Sequence, residues 1–215
     1  MYNFVSGPLV WIAFILFFGG LIYQFVRMLT TAQKDKVVYP YMSLKYGLRS
    51  LLHWVVPFGS RNMRIRYEVT IVTFLFHICL VLLPIFLTAH VVMFSSAWGP
   101  SWPTLSANVA DGLTLIVIFA GVFFFVRRLM LPEVRYVTFS MDYVLLAIAL
   151  APFVTGFMAR MQWFDYNVMV IIHIMAGCLM LAVIPFTRLS HMLFFPFTRA
   201  YMGSEFGYVR HARDW

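Results

Sequence analysis

The chain has 215 residues, of which 62% are hydrophobic and only 11% charged, and its net charge is +8. A soluble domain carries about 25% charged residues, so a soluble globular class is excluded. Almost every basic residue stands at the edge of an apolar block, so the positive charge argues for a membrane boundary and against nucleic acid.

A helix needs about 20 apolar residues to cross the hydrocarbon core, and inside lipid its backbone must satisfy its own hydrogen bonds. Five stretches meet that length: Pro8 to Val26, Tyr67 to Phe94, Trp102 to Val126, Thr138 to Ala159, and Asp165 to Thr187. The fold expected is all-α, a single membrane domain over residues 1–215 built as a bundle of five transmembrane helices. No positive n-region or small-residue cleavage site marks the first stretch, so it is expected to be a retained helix. Ser43 to Phe58 follows it. There Leu44, Leu48, Leu51 and Val55 recur at helical spacing, while Lys45, Arg49 and His53 form a stripe on another face. This predicts an amphipathic helix lying on the inner membrane surface. The second stretch holds His77 and His90 with Pro84 between them. The third has Asn108 and Asp111 near its start and leaves through Arg127 and Arg128. Ser140 and Asp142 open the fourth as a capping turn. The fifth holds His173, and a tail over 189–215 contains His191 and His211. Cys79 and Cys178 lie inside apolar segments without CxxC spacing, which supports neither a disulfide framework, an iron–sulfur cluster nor covalently attached haem.

The Lys and Arg bias sets the orientation. Arg27, Lys34, Lys36, Lys45, Arg49, Arg61, Arg64 and Arg66 fall in the first connection. Arg127, Arg128 and Arg135 fall in the third, and Arg188, Arg199, Arg210 and Arg213 in the tail. The two opposite connections hold only Arg160, so the tail is expected in the cytoplasm and the N-terminus outside, in a bacterial inner membrane. Trp98, Trp102 and Trp163 fall at the outer boundary, where an aromatic belt forms.

Among six histidines, His53 in the basic stripe and His211 in the tail are expected to be solvated or headgroup residues. His77, His90, His173 and His191 lie in or at the ends of the second and fifth stretches, where a polar side chain by default signals function. The alternative for each is a neutral histidine bonded to a neighbouring helix. Imidazole is the common axial ligand of b-type haem, and a bis-histidine site takes one ligand from each of two facing helices. His173 and His191 are 18 residues apart, five turns at 3.6 residues per turn, so both are expected to project from one face about 27 Å apart, enough for two haems stacked across the bilayer. His77 and His90 are about 20 Å apart on an ideal helix but off a common face, unless Pro84 kinks the segment. Antiparallel helices then pair His77 with His191 near the cytoplasm and His90 with His173 near the outside.

At these residues the sequence resembles the gamma subunit of respiratory nitrate reductase and related five-helix di-haem cytochromes b. Phe76-His77-Ile78 resembles the inner-haem motif. Phe125-Val126-Arg127-Arg128-Leu129 with Pro132 and Arg135 resembles the basic exit of helix three. His173 with Pro185-Phe186-Thr187-Arg188-Leu189-Ser190-His191, then Pro196, resembles the helix-five block. The nitrate reductase subunit has a shorter interval between its helix-two histidines, and its lysine near the outer quinol site has no counterpart here. The longer interval and compact length are more similar to the cytochrome b subunit of transmembrane redox complexes in sulfate-reducing bacteria, the high-molecular-weight cytochrome c and tetrahaem cytochrome c3 complexes.

The expected function is therefore that of an electron-transfer subunit, not catalytic alone, with two b-type haems and menaquinone as a candidate further ligand. Electrons would pass between quinol or a periplasmic multihaem cytochrome c and a cytoplasmic iron–sulfur subunit, beside other integral membrane subunits. Arg127, Arg128 and Arg188 are candidates for haem propionates, against ordinary positive-inside anchoring. Asn108 and Asp111 are candidates for a quinone pocket, against a polar helix start. Two competing readings are a non-redox membrane anchor with structural histidines and a small-ion transporter. The lack of an internal repeat argues against the transporter.

Overall fold

A computed structural model of the chain describes residues 1–31 and 36–215; Lys34 of the first connection lies outside the described residues. Among these residues all regular structure is helical. In chain order the principal helices are α1 (Tyr2–Thr31), α2 (Leu44–Val55), α3 (Tyr67–Phe86), α4 (Thr88–Trp98) and α5 (Ala107–Met130), followed by α6 (Ser140–Arg160), α7 (Tyr166–Val183) and α8 (His191–Ser204). Five of them, α1, α3, α5, α6 and α7 with the turn that prolongs it to Phe186, are long and apolar enough to cross a membrane. They leave large apolar side chains exposed along their length, among them Ile15, Leu75, Phe119, Val144 and Leu179. Lipid, not water, is the solvent that suits such a surface, and the fold fits a multi-pass membrane protein.

Three expected spans differ in detail. The second is not one helix through Phe94: it breaks at Leu87, whose backbone is extended (φ −69°, ψ 129°), three residues beyond Pro84. The third begins at Ala107, because residues 101–106 are not helical. The fifth ends at Val183 and passes through a 3₁₀ turn over Ile184–Phe186 to an extended Thr187 (φ −128°). Proline has no N–H and its ring crowds the carbonyl four residues back, so Pro185 stops the α-helical ladder there. His191 opens the next helix, α8. The inference that His173 and His191 share one face of a continuous helix therefore does not hold.

The chain divides into two compact units. The first comprises residues 1–10 and 72–180. Its core joins Phe76, Cys79 and Leu83 of α3 to Ala110, Val117 and Ala120 of α5 and Phe153 of α6. Carboxylates cap α6 and α7, which start in this unit. The Asp142 carboxylate accepts from Phe139 N–H at 2.8 Å, and that of Asp165 from Val168 N–H at 2.9 Å.

The second unit comprises residues 11–71 and 181–215. Small residues let α2 and α8 meet at close range. A Cβ on Gly47 would lie 3.2 Å from that of Ala200, and one on Gly203 2.6 Å from that of Ser50. The Ser204 hydroxyl accepts from Ser43 N–H at 3.1 Å and donates to the Ala200 carbonyl at 3.0 Å, closing one end of the pair. On α2 the apolar residues Leu44, Leu48, Leu52 and Val55 stay exposed. In the polar stripe Lys45 also stays exposed, while Arg49 and His53 are half-buried. Residues 205–215 fold back over it, and the His53 ring, expected to be solvated, stacks on Trp215 with centroids 3.9 Å apart.

Candidate functional site

The break at Leu87 creates the chain's most organised polar site. The last four carbonyls of a helix have no partner within it and need one elsewhere if they are away from water. In α3 the Leu83 carbonyl accepts from Leu87 N–H at 3.0 Å and that of Phe86 from Leu105 N–H at 2.9 Å. The Ile85 carbonyl accepts from the Trp102 indole Nε1–H at 2.8 Å. The Pro84 carbonyl accepts from His90 Nδ1–H at 3.1 Å. Helix termination and histidine orientation are thus one event.

The re-aimed His90 meets His173. Their ring centroids are 6.0 Å apart and the ring planes differ by 10°. His173 is held by α6, where the Pro152 carbonyl accepts from its Nδ1–H at 2.9 Å and the Thr155 hydroxyl lies 3.5 Å from the same nitrogen. Gly156 makes the room: a Cβ there would lie 2.9 Å from Cε1 and 3.0 Å from Nδ1 of the ring. Both rings are half-buried. A carbonyl only accepts, so each Nδ1 carries the hydrogen and each Nε2 keeps its lone pair. This is the tautomer that a metal-binding histidine needs and the second-shell bond that fixes it.

Two imidazoles ligating one ion from opposite sides, each with a metal–nitrogen bond of about 2 Å and about 1 Å more to the ring centre, have centroids about 6 Å apart. The observed separation meets that requirement. Among the described residues no group of three or more His, Cys, Asp or Glu side chains gathers to hold a metal. The donors come in a pair, which suits an ion whose remaining ligands belong to a porphyrin and not a tetrahedral zinc.

His77 belongs to the first unit and His191 to the second. His77 is exposed, its Nδ1–H donates to the Thr73 carbonyl at 2.8 Å, and its ring stands edge-on to Phe76. His191, also exposed, donates from Nδ1 to the Arg188 carbonyl at 2.9 Å. His53 makes the same kind of bond, to the Arg49 carbonyl at 2.8 Å, so the bond alone does not identify a ligand.

Arg127 and Arg128 end α5, where cations complement the helix dipole, and Arg128 donates to the Phe124 carbonyl at 3.1 Å. Arg188 is exposed. Asn108 is exposed near the start of α5, and Asp111 pairs with Arg160 at 3.6 Å.

Sequence reasoning did not find Pro152, Thr155 and Gly156, one turn of α6 that seats His173. Its only signal was a proline and a glycine inside an apolar run. Nor did it find Trp102 as a helix cap, since belt placement already accounted for that residue.

Over 216 aligned residues the chain is 40% identical to a protein of Nitratidesulfovibrio vulgaris strain Hildenborough, an alignment that covers 98% of this chain and 95% of the relative. No protein-family profile matches the sequence, and no solved structure matches it.

Proposed function

The chain belongs to one protein family with that Nitratidesulfovibrio vulgaris protein, and we propose that it is a di-haem b-type cytochrome subunit of a respiratory membrane complex. The observation that carries this reading is the His90–His173 pair: two nearly parallel imidazoles with centroids 6.0 Å apart, each with Nδ1–H held by a main-chain carbonyl, which together would hold a haem. Haem, when bound, supplies one-electron redox chemistry. The chain's residues fix the ligand tautomers, hold the rings at their spacing and keep the outer pair partly out of water. His90 and His173 are assigned to the outer haem; His77 and His191 are each candidate ligands of an inner one, and Arg127, Arg128 and Arg188 are candidates for propionates.

In this reading the N-terminus is periplasmic, the C-terminus cytoplasmic, and the membrane the bacterial cytoplasmic membrane. The exposed stripe of α2 rests on the inner surface. Electrons would pass between an outer donor, either menaquinol or a periplasmic multihaem cytochrome c, and a cytoplasmic iron–sulfur subunit, beside other membrane subunits. Asn108 and the Arg160-paired Asp111 are assigned to the quinol end.

A reduced-minus-oxidised spectrum of the purified chain, with a haem count, tests this. A b-type α-band and two haems per chain are expected. His90→Ala and His173→Ala should each remove the same haem, and His191→Ala the other. Absence of the α-band refutes the cytochrome reading, and a single haem refutes the inner assignment.

A further inference from the structure

Among the described residues, the buried side-chain nitrogen and oxygen atoms with no hydrogen-bond partner are four: Arg49 Nε, Arg49 Nη2, Trp54 Nε1 and Asp214 Oδ1. All four belong to one cluster in the second unit, where residues 205–215 lie over the polar face of α2. A buried polar atom without a partner is rare enough to require an explanation. Here the mismatch has a sign: three donors lack an acceptor and only one acceptor lacks a donor.

The Arg49 guanidinium sits over the Tyr46 ring at 4.6 Å and the Trp215 ring at 4.7 Å, and that of Arg199 over Trp54 at 4.6 Å. The Asp214 side chain is 3% exposed; one carboxylate oxygen takes the Ser50 hydroxyl and lies 3.8 Å from Arg199 Nη1. The unused Arg49 atoms, Nε and Nη2, form the edge of guanidinium that grips a carboxylate or phosphate with two parallel bonds. Gly207 closes over that edge, since a Cβ there would run into Nη2 and the Tyr46 ring. The chain's own carboxylate therefore stands inside a cationic, aromatic-walled site without engaging its best donors.

We propose that this cluster is a binding site for the phosphate of an anionic phospholipid headgroup, kept closed by Asp214 and the tail. Charge chooses the class of ligand, because a phosphodiester supplies two non-bridging oxygens sharing one negative charge where donors are in surplus. Depth chooses the source. The opposite face of the same helix exposes Leu44, Leu48, Leu52 and Val55, and a helix lying with that stripe in the acyl boundary holds Arg49 and Trp54 at headgroup level. The inference rests on the inner-surface placement of α2 proposed above and is independent of haem.

The test uses the full chain in detergent. Native mass spectrometry counts retained phosphatidylglycerol or phosphatidylcholine, and hydrogen exchange follows residues 205–215. One phosphatidylglycerol retained per chain is expected, with phosphatidylcholine washed away and faster exchange in the tail. Arg49→Lys keeps the charge but loses the paired donors, so retention should fall about tenfold. Asp214→Asn weakens the closing contact and should raise retention. Equal retention of the two lipids, or no change in Arg49→Lys, overturns the proposal. So does inorganic phosphate competing as well as phosphatidylglycerol, which would assign the site to free anions. Should Arg49→Lys lose its helical signal, Asp214→Asn decides alone, and no gain there overturns the proposal. A nitroxide at Leu48 reports bilayer contact of α2 separately.

Discussion

Gly156→Ala gives the sharpest test of the His90–His173 site. Glycine is a poor helix residue, so at an indifferent position inside α6 alanine would stabilise by about 1 kcal/mol. Position 156 is not indifferent. The new Cβ would lie 2.9 Å from His173 Cε1 and 3.0 Å from Nδ1, well inside the roughly 3.5–4.0 Å at which such atoms rest. The ring must retreat by roughly half an ångström or more, and overpacking of this kind costs about 1–3 kcal/mol. The Nδ1–H···O=C bond to Pro152, now 2.9 Å, stretches with it, at a further loss of about 1 kcal/mol. The sum exceeds the gain in propensity, leaving the variant less stable by about 1–3 kcal/mol. Thermal unfolding in detergent checks that figure, and a haem count checks the site, where the outer haem should be depleted and the inner one retained. Gly177→Ala is the control, because a Cβ there meets nothing within 4 Å. If Gly156→Ala proves as stable as that control and keeps both haems, the packing argument for His173 is wrong.

The other expectations use the same two readouts. Replacing both His90 and His173 should remove no more haem than replacing either alone, and His53→Ala should remove none; additive losses would show that the pair is not one site. Trp102→Phe deletes the donor to the Ile85 carbonyl, and the end of α3 should weaken by about 1–2 kcal/mol, seen as faster hydrogen exchange around Leu87. Gly203→Leu forces apart helices that meet at the Ser50 side chain, so limited proteolysis should cleave between α2 and α8 in the variant and spare the parent. Pro84→Ala keeps the carbonyl that His90 uses, and should retain the outer haem while raising stability by about 1–3 kcal/mol; loss of that haem would make the proline ring the cause of the break.

The spans were legible because they depend on one local quantity, the length of an apolar run. The capping turn at Asp142 was equally local: a carboxylate in the first turn of an apolar stretch reaches back to the N–H of Phe139. The break at Leu87 could not be read in the same way. Pro84 was visible, but proline disturbs the residue before it and the carbonyl four residues back. Those positions remain helical, and the chain turns three residues later, where His90, Trp102 and Leu105 take over the free carbonyls. The three donors come from up to 19 residues beyond Phe86, which no helical window spans. The tail escaped for a similar reason. His53 belongs to a basic stripe that looks solvent-facing until Trp215, far along the chain, stacks on it.

These cases share a physical cause. A helix end in an apolar setting must find partners for its orphan carbonyls, and the side chains that serve become fixed in direction by doing so. His90 serves α3 by donating from Nδ1, which commits its remaining nitrogen to outward chemistry as a lone pair. His173 is committed in the same way by the Pro152 carbonyl, although α6 is unbroken there. Two main-chain carbonyls thus hold two imidazoles in one tautomeric state with their centroids 6.0 Å apart. Preorganisation of this kind matters for a ligand held by few bonds, since rings that had to be turned and ordered on binding would consume much of the affinity the bonds provide. The histidines that sequence spacing set at awkward angles are thus the ones whose awkwardness the backbone uses.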